Sequence, residues 1–321
     1  MASRLYVTLR DDFLWSVDVA GGHAARLPDL DGMYADDITA IASHAKTSRL
    51  FCAAGPTFHV LDVSGPRPAL LHVEEIGKVD DGLSSVLAGF ATDDQDDANL
   101  VAFTYSPPMP PFRENPGRPA LAGALLQYTL PDLVYARTRS LDGLGRHLAL
   151  APGGHLACVT LHDSTRARLL QLKSGAQFTS VELGAQGGRA AVSLTGDTAY
   201  VTLPEGIAVI DTANAEVTET WAYPAVDLAA SSSGLWLYAI TATPTLRRIF
   251  LPAGFDSAES IPLPIPEDWS LFPGARVTVS PDDEHLAVQT TPTTLIVIDT
   301  QTGEPVSTVT FPHPVTGLAF A

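Results

Sequence analysis

Four polar residues stand at one shared position of an internal repeat. When the repeats are aligned on the residue that ends the first apolar run of each, one histidine, one aspartate and two arginines coincide: His147, Arg189, Asp227 and Arg276. A guanidinium group binds carboxylate or phosphate through two parallel hydrogen bonds, and an imidazole moves protons near neutral pH. The alignment therefore indicates recognition of a polar, anionic ligand. We name this shared place the ring position.

The chemistry of each side chain suggests its role. We expect Arg189 and Arg276 to clamp the ligand, and His147 or Asp227 to act as general acid or base. Two arginines and a histidine against one aspartate give a locally positive patch on a chain of net charge −17. In the alternative, the four groups pair with one another and stiffen the fold, since opposite charges about 8 Å apart attract by about 2 kcal/mol at an effective dielectric of about 20.

Other motifs with known chemistry are weaker. His162, Asp163 and Ser164 have the residue types of a catalytic triad, but neighbours in sequence rarely converge in the geometry that a triad needs. The acidic stretch 92–99, TDDQDDAN, lacks the glycine and glutamate of a calcium loop, so we interpret it as a solvated turn. The chain has no GxSxG, HExxH, CxxC or glycine-rich phosphate loop. We expect no cofactor and no metal.

The elements that position these residues form a repeat of four apolar runs. Residues 276–311 read RVTVS, HLAVQTT, LIVIDT and EPVSTVTF, each separated from the next by a turn-forming cluster. This pattern is typical of a four-stranded antiparallel meander. Six such units are complete, and Cys52 and Cys158 fall inside apolar runs of two of them, which predicts free buried thiols.

The seventh unit is split between the two ends of the chain. The N-terminal residues supply three runs, RLYVTLR, FLWSVDV and HAARL, and the C-terminal VTGLAFA supplies the missing first run. Pairing them closes a ring and removes the sheet edges that an open array would expose. We predict an all-β, seven-bladed β-propeller of four-stranded antiparallel blades, closed by its C-terminal strand, with Thr316 at the ring position of the split blade.

One domain is expected over residues 1–321. The predicted blades, numbered from the split one, cover residues 315–321 with 4–28, 38–76, 83–141, 146–184, 188–223, 226–264 and 275–312.

The repeat also resembles a known family. The segments LYVTLRDDFLWSVDV, AYVTLPEGIAVIDT and SPDDEHLAV…LIVIDTQTG are similar to the blades of YVTN-type, lactonase-like bacterial propellers. The resemblance covers nearly the whole chain but concerns blades, not an active site. It implies the seven-bladed fold, and it raises the expectation of lactone-hydrolysing chemistry slightly, because such blades also occur in other enzymes and in binding scaffolds.

Long loops predict which face of the ring carries the function. The segments 29–37, 105–123 and 266–275 all connect strands on the face where the ring position lies, and loops on one side of a rigid scaffold usually bind. Four further ligand-binding candidates lie on or near this face: Arg146, Asp37, Trp269 and Phe112.

These observations predict a protein that binds a small polar or anionic molecule at the mouth of the central channel. If it is an enzyme, we expect hydrolase, lyase or isomerase chemistry without a redox cofactor. The alternative is a protein-interaction scaffold that uses the long-loop face, with Phe112, Trp269 and Phe272 as anchors.

The net charge and the apolar runs of the chain limit the kinds of partner that we expect. A charge of −17 repels phosphate backbones and anionic lipids, so we expect neither nucleic acid nor membrane binding. The N-terminus lacks a signal-peptide pattern, and no run of 18 apolar residues occurs. A cytoplasmic monomer is the expectation.

Overall fold

The computed structural model describes residues 4–10, 12, 14–28, 38–54, 57–65, 67–75, 86–92, 99–105, 123–130, 134–152, 155–172, 178–241, 245–263 and 275–321. These residues form twenty-eight strands in seven antiparallel sheets of four strands each.

Each sheet is one blade of a ring. The strands of blades 1 to 3, from the first strand of each blade to the fourth, are β28 (Val315–Phe320), β1 (Arg4–Leu9), β2 (Leu14–Asp18) and β3 (His23–Arg26); β4 (Ile38–His44), β5 (Arg49–Ala54), β6 (Thr57–Asp62) and β7 (Ala69–Glu75); and β8 (Val86–Thr92), β9 (Asn99–Tyr105), β10 (Gly123–Thr129) and β11 (Val134–Leu141).

The strands of blades 4 to 7, in the same order, are β12 (Gly145–Leu150), β13 (Leu156–Leu161), β14 (Arg166–Gln171) and β15 (Thr179–Glu182); β16 (Ala190–Val192), β17 (Thr198–Leu203), β18 (Gly206–Asp211) and β19 (Glu216–Trp221); β20 (Ala225–Ala230), β21 (Trp236–Thr241), β22 (Thr245–Phe250) and β23 (Glu259–Pro262); and β24 (Val277–Val279), β25 (His285–Thr291), β26 (Thr294–Asp299) and β27 (Pro305–Thr310).

The first strand of each blade is the innermost. It contacts the first strand of the next blade all the way round, in the order β28, β4, β8, β12, β16, β20, β24 and back to β28. Three 3-10 turns, Ala45–Thr47, Leu251–Ala253 and Phe255–Ser257, are the described helical elements, and none of them is long and apolar enough to cross a membrane.

The hydrophobic core lies between the blades. One cluster joins β13 to β17 through Leu156, Cys158, Ala199 and Val201, and similar clusters fill the other interfaces. Because inner and middle strands are covered on both faces, their apolar residues run continuously, as in β13, where all six residues are buried. Outer strands such as β15 keep one buried residue.

Both cysteines follow the sequence prediction. Cys52 and Cys158 are free and fully buried. Burial raises the pKa of each thiol to about 12, so both remain protonated and unreactive.

The chain ends close the ring as predicted. Strand β28 pairs antiparallel with β1, and the backbones of Arg4 and Ala321 exchange two hydrogen bonds of 3.1 and 2.9 Å. The prediction for Thr316 was wrong by one residue. Gly317 pairs with Thr8 and takes the ring position of blade 1, because the strand pairing continues to Ala321 and the ring position lies four residues before that end, as it does in blades 4 to 7. Thr316 is the extra residue of the β-bulge that precedes it.

Gly317 permits the close approach of blade 2 to the closing strand. A Cβ atom there would lie 2.6 Å from Ile41 Cγ2 and 2.7 Å from Thr8 Oγ1. We expect Gly317→Ala to lower the free energy of unfolding by about 1–3 kcal/mol through overpacking, measured by urea denaturation. The matched control is Gly143→Ala, whose new Cβ would meet Leu161 Cδ1 at an ordinary 3.5 Å. Equal stability of the two variants would contradict this account of closure.

Candidate functional site

The strand register places the four polar residues at equivalent points of blades 4 to 7. His147 pairs with Thr160, and Asp227 pairs with Ile240. The carbonyl groups of Arg189 and Arg276 accept the backbone N–H groups of the corresponding second-strand residues, Thr202 at 2.9 Å and Gln289 at 2.8 Å. The four side chains therefore start from one level of four consecutive innermost strands.

The other three blades carry small residues at the ring position. By the same register, Gly317, Ala40 and Gly89 take this place in blades 1 to 3. One part of the ring therefore carries large polar side chains, and the remainder carries a methyl group or only hydrogen.

His147 bonds to the next blade. Its Nδ1 atom accepts the backbone N–H of Ala190, at the start of β16, at 3.0 Å. An imidazole that accepts at Nδ1 is neutral and carries its hydrogen on Nε2. Burial holds the pKa of His147 well below its ordinary value, and the positive charges of Arg189 and Arg276 lower this pKa further.

Asp227 repeats this arrangement two blades further on. Its Oδ2 atom accepts the backbone N–H of Val277, at the start of β24, at 2.9 Å, and Oδ1 accepts that of Leu228 at 3.0 Å. Oδ1 also lies 3.7 Å from Nε of Arg189, an ion pair that is longer than a hydrogen bond. Burial raises the pKa of Asp227, an effect opposed by Arg189, by the Val277 bond and by Arg276.

The two arginines carry more positive charge than the site neutralises. The pKa of Arg276 is lowered to about 10, first by burial and then by the like charge of Arg189, against the attraction of Asp227. In the part of the chain that the structure describes, no side-chain hydrogen bond reaches the Arg276 guanidinium. The Arg189 side chain is 26% exposed. The site thus holds two cations beside one carboxylate and a neutral imidazole.

Arg146 is the bulged residue before His147 and serves the framework. Its Nη1 atom donates to the carbonyl oxygen of Gly187, in the link to blade 5, at 3.0 Å. The other three ligand-binding candidates, Asp37, Phe112 and Trp269, lie outside the described residues, as do the aromatic anchors of the scaffold hypothesis.

Polar residues of the second strands were not singled out from the sequence. Thr160 Oγ1 donates to the Gly188 carbonyl at 2.6 Å, and Thr202 Oγ1 accepts the Arg189 N–H at 2.8 Å. Gln289 is fully buried, and its Oε1 atom has no hydrogen-bond partner among the described residues. The available signal was a polar residue at the same point of the second strands of three blades.

Two other sets of neighbouring residues have side chains that could take part in catalysis or bind a metal ion. Ser164 Oγ accepts the Arg166 N–H within its own turn at 3.1 Å, while His162 and Asp163 are exposed. Asp282, Glu284 and His285 bring potential metal-ligating atoms within 4.8 Å of one another, at the far end of β24 from Arg276. Asp282 Oδ1 there accepts the Glu284 N–H at 3.1 Å, so this carboxylate already orders the turn.

Comparisons with known proteins bear on the fold. No protein-family model matches the chain, and no curated protein matches its sequence. The chain is similar to a crystal structure described as a functionally unknown protein from Desulfotomaculum acetoxidans DSM 771, with a TM-score of 0.74 and 14% sequence identity, over 100% of this chain and 99% of the other. At this identity the likeness shows the seven-bladed fold alone.

The His147 bond predicts a pH-dependent stability. The unfolded chain takes up a proton at this residue below a pH of about 6.5, whereas the folded chain resists it, so the stability contributed by neutral His147 is complete above that pH and falls below it. Below that pH we expect the free energy of unfolding of wild type to fall, relative to that of His147→Asn, by up to about 1.4 kcal/mol per pH unit. The amide oxygen of the introduced Asn can still accept the Ala190 N–H. Urea unfolding at pH 8 and pH 5.5 measures the difference.

The control for this experiment is His313→Asn in an exposed turn. We expect this variant to differ from wild type in its free energy of unfolding by no more than about 0.5 kcal/mol at both pH values. A wild-type advantage over His147→Asn that is the same at pH 8 and pH 5.5 would show that His147 is not held neutral.

Proposed function

We propose that the protein binds a small anion at the mouth of the central channel through Arg189 and Arg276. The observation that carries the proposal is the excess of positive charge at the ring position, where two guanidinium groups face a single carboxylate and a neutral imidazole. A bound anion would supply the missing negative charge, and charge-assisted hydrogen bonds to arginine are among the strongest that proteins form.

In this proposal His147 and Asp227 are positioning residues. Each uses an acceptor atom to hold the N–H group that follows the arginine of the next blade, Ala190 after Arg189 and Val277 after Arg276. They thereby fix the strands from which the two arginines project. A general base needs a free lone pair, and the Nδ1 lone pair of His147 is engaged.

Chemistry at the site remains a further prediction. Hydrolase, lyase or isomerase chemistry without a redox cofactor would use the two arginines to stabilise negative charge that develops in the transition state. The lactonase-like assignment rests on the repeat residues, among them AYVTL in β17 and IAVID in β18. It raises the expectation of small-molecule chemistry slightly, and it identifies neither a site nor a substrate.

Arg276→Gln separates binding from a role in the framework. The variant removes a partly buried charge that desolvation and Arg189 both disfavour, so we expect an unchanged or higher melting temperature. It also removes a charged donor worth about 1.5–3 kcal/mol, so we expect affinity for acetate or sulfate, whichever wild type binds, to fall at least about ten-fold. Thermal unfolding and NMR titration with these anions measure the two effects.

Arg166→Gln is the matched control, because Arg166 pairs with Glu182 at 3.0 Å on the exposed outer strands of blade 4. We expect this change to leave anion binding as in wild type. If Arg276→Gln instead lowers the melting temperature strongly and leaves anion binding intact, Arg276 belongs to the framework and the proposed function fails.

A further inference from the structure

The charge at the ring position limits the charge of the ligand. Burial raises the pKa of Asp227, but both of its carboxylate oxygens accept backbone N–H groups and Arg189 lies beside it, which favours the negative form. With Arg189 and Arg276 positive and His147 neutral, the four residues together carry one unit of positive charge. One negative charge on the ligand would neutralise them. A second negative charge on the ligand would be repelled by Asp227. This residue is only 6% exposed, and two backbone N–H groups fix its carboxylate in place.

Desolvation sharpens this limit. Attraction to a site of fixed charge grows in proportion to the charge of the ligand, whereas the cost of taking an ion out of water grows with the square of that charge, as in the Born description of ion burial. At a partly buried site that has one excess positive charge, a monoanion therefore gains relative to a dianion of similar size.

The donor set favours a planar group. A guanidinium presents its N–H groups in a flat fork that matches the two oxygens of a carboxylate. Arg189 turns its Nε atom toward Asp227, which leaves its terminal nitrogens for other acceptors. His147 adds a neutral donor, Nε2–H, without adding charge.

We infer that the site takes a small monocarboxylate and that Asp227 sets the limit of one negative charge. This inference rests on the proposed function, since it specifies the ligand class of the same two arginines. It differs from a general anion site in one measurable respect, which is its preference between anions of different charge.

The test is a titration of the full-length wild-type protein with three probes, followed by NMR. Acetate is a planar monoanion, malonate keeps the carboxylate group but carries two charges, and sulfate is a tetrahedral dianion. We expect acetate to bind at least about ten-fold more tightly than malonate or sulfate, a difference of about 1.4 kcal/mol in binding free energy.

Asp227→Asn tests the origin of the preference. The amide keeps one oxygen that can accept a backbone N–H, and the change removes the negative charge, so the site would carry two units of positive charge. We expect the preference for acetate over sulfate to fall at least about ten-fold. If this variant fails to fold, the wild-type titrations with the three probes decide the inference alone.

The outcomes separate the inference from the proposed function. Malonate or sulfate binding to wild type as tightly as acetate would overturn the monocarboxylate inference and leave an anion site in place. An unchanged preference in a folded Asp227→Asn protein would overturn the role of Asp227. If none of the three anions binds wild type, or if binding persists in Arg276→Gln, the proposed function and the inference both fail.

Discussion

The inner edge of each blade sets the constraint on which the rest of the structure depends. The first strand of a blade pairs with a second strand on one side, while its other edge faces the axis of the ring without a partner strand. Backbone N–H groups on such an edge must find acceptors if they are shielded from water. His147 and Asp227 supply acceptors to the edges of β16 and β24, and each side chain thereby ties its blade to the next.

This constraint decides which polar groups remain for a ligand. His147 and Asp227 stand in alternate blades, and each faces a strand preceded by an arginine. Their acceptor atoms are occupied by the backbone, so they order Arg189 and Arg276 without neutralising both of them. Burial and then the like charge of Arg189 lower the pKa of Arg276. Perturbed groups of this kind concentrate at functional sites, although structural networks can perturb them too.

The strand periodicity made the ring and the shared position of the four residues predictable, because a repeat aligned on its strand ends places equivalent residues at one level. That reasoning depends on finding the residue where the first strand ends, and in blade 1 this residue is Ala321, so that Gly317 and not Thr316 takes the ring position. The bonds of His147 and Asp227 join residues 43 and 50 positions apart. They depend on how neighbouring blades are placed, which the sequence of one blade does not encode.

Blades 1 to 3 can be compared with blades 4 to 7 to see what the fold requires at the ring position. Blades 1 to 3 stand in the same ring with Gly317, Ala40 and Gly89 there, and at Gly317 the neighbouring blade approaches until no Cβ would fit. Closing the ring therefore does not require a large polar side chain at this position. A purely structural role accounts for the two acceptors, which hold backbone N–H groups, but not for two arginines whose charges repel each other. The arginines are the part of the ring position that the fold leaves unexplained, and they are the reason why anion binding is proposed.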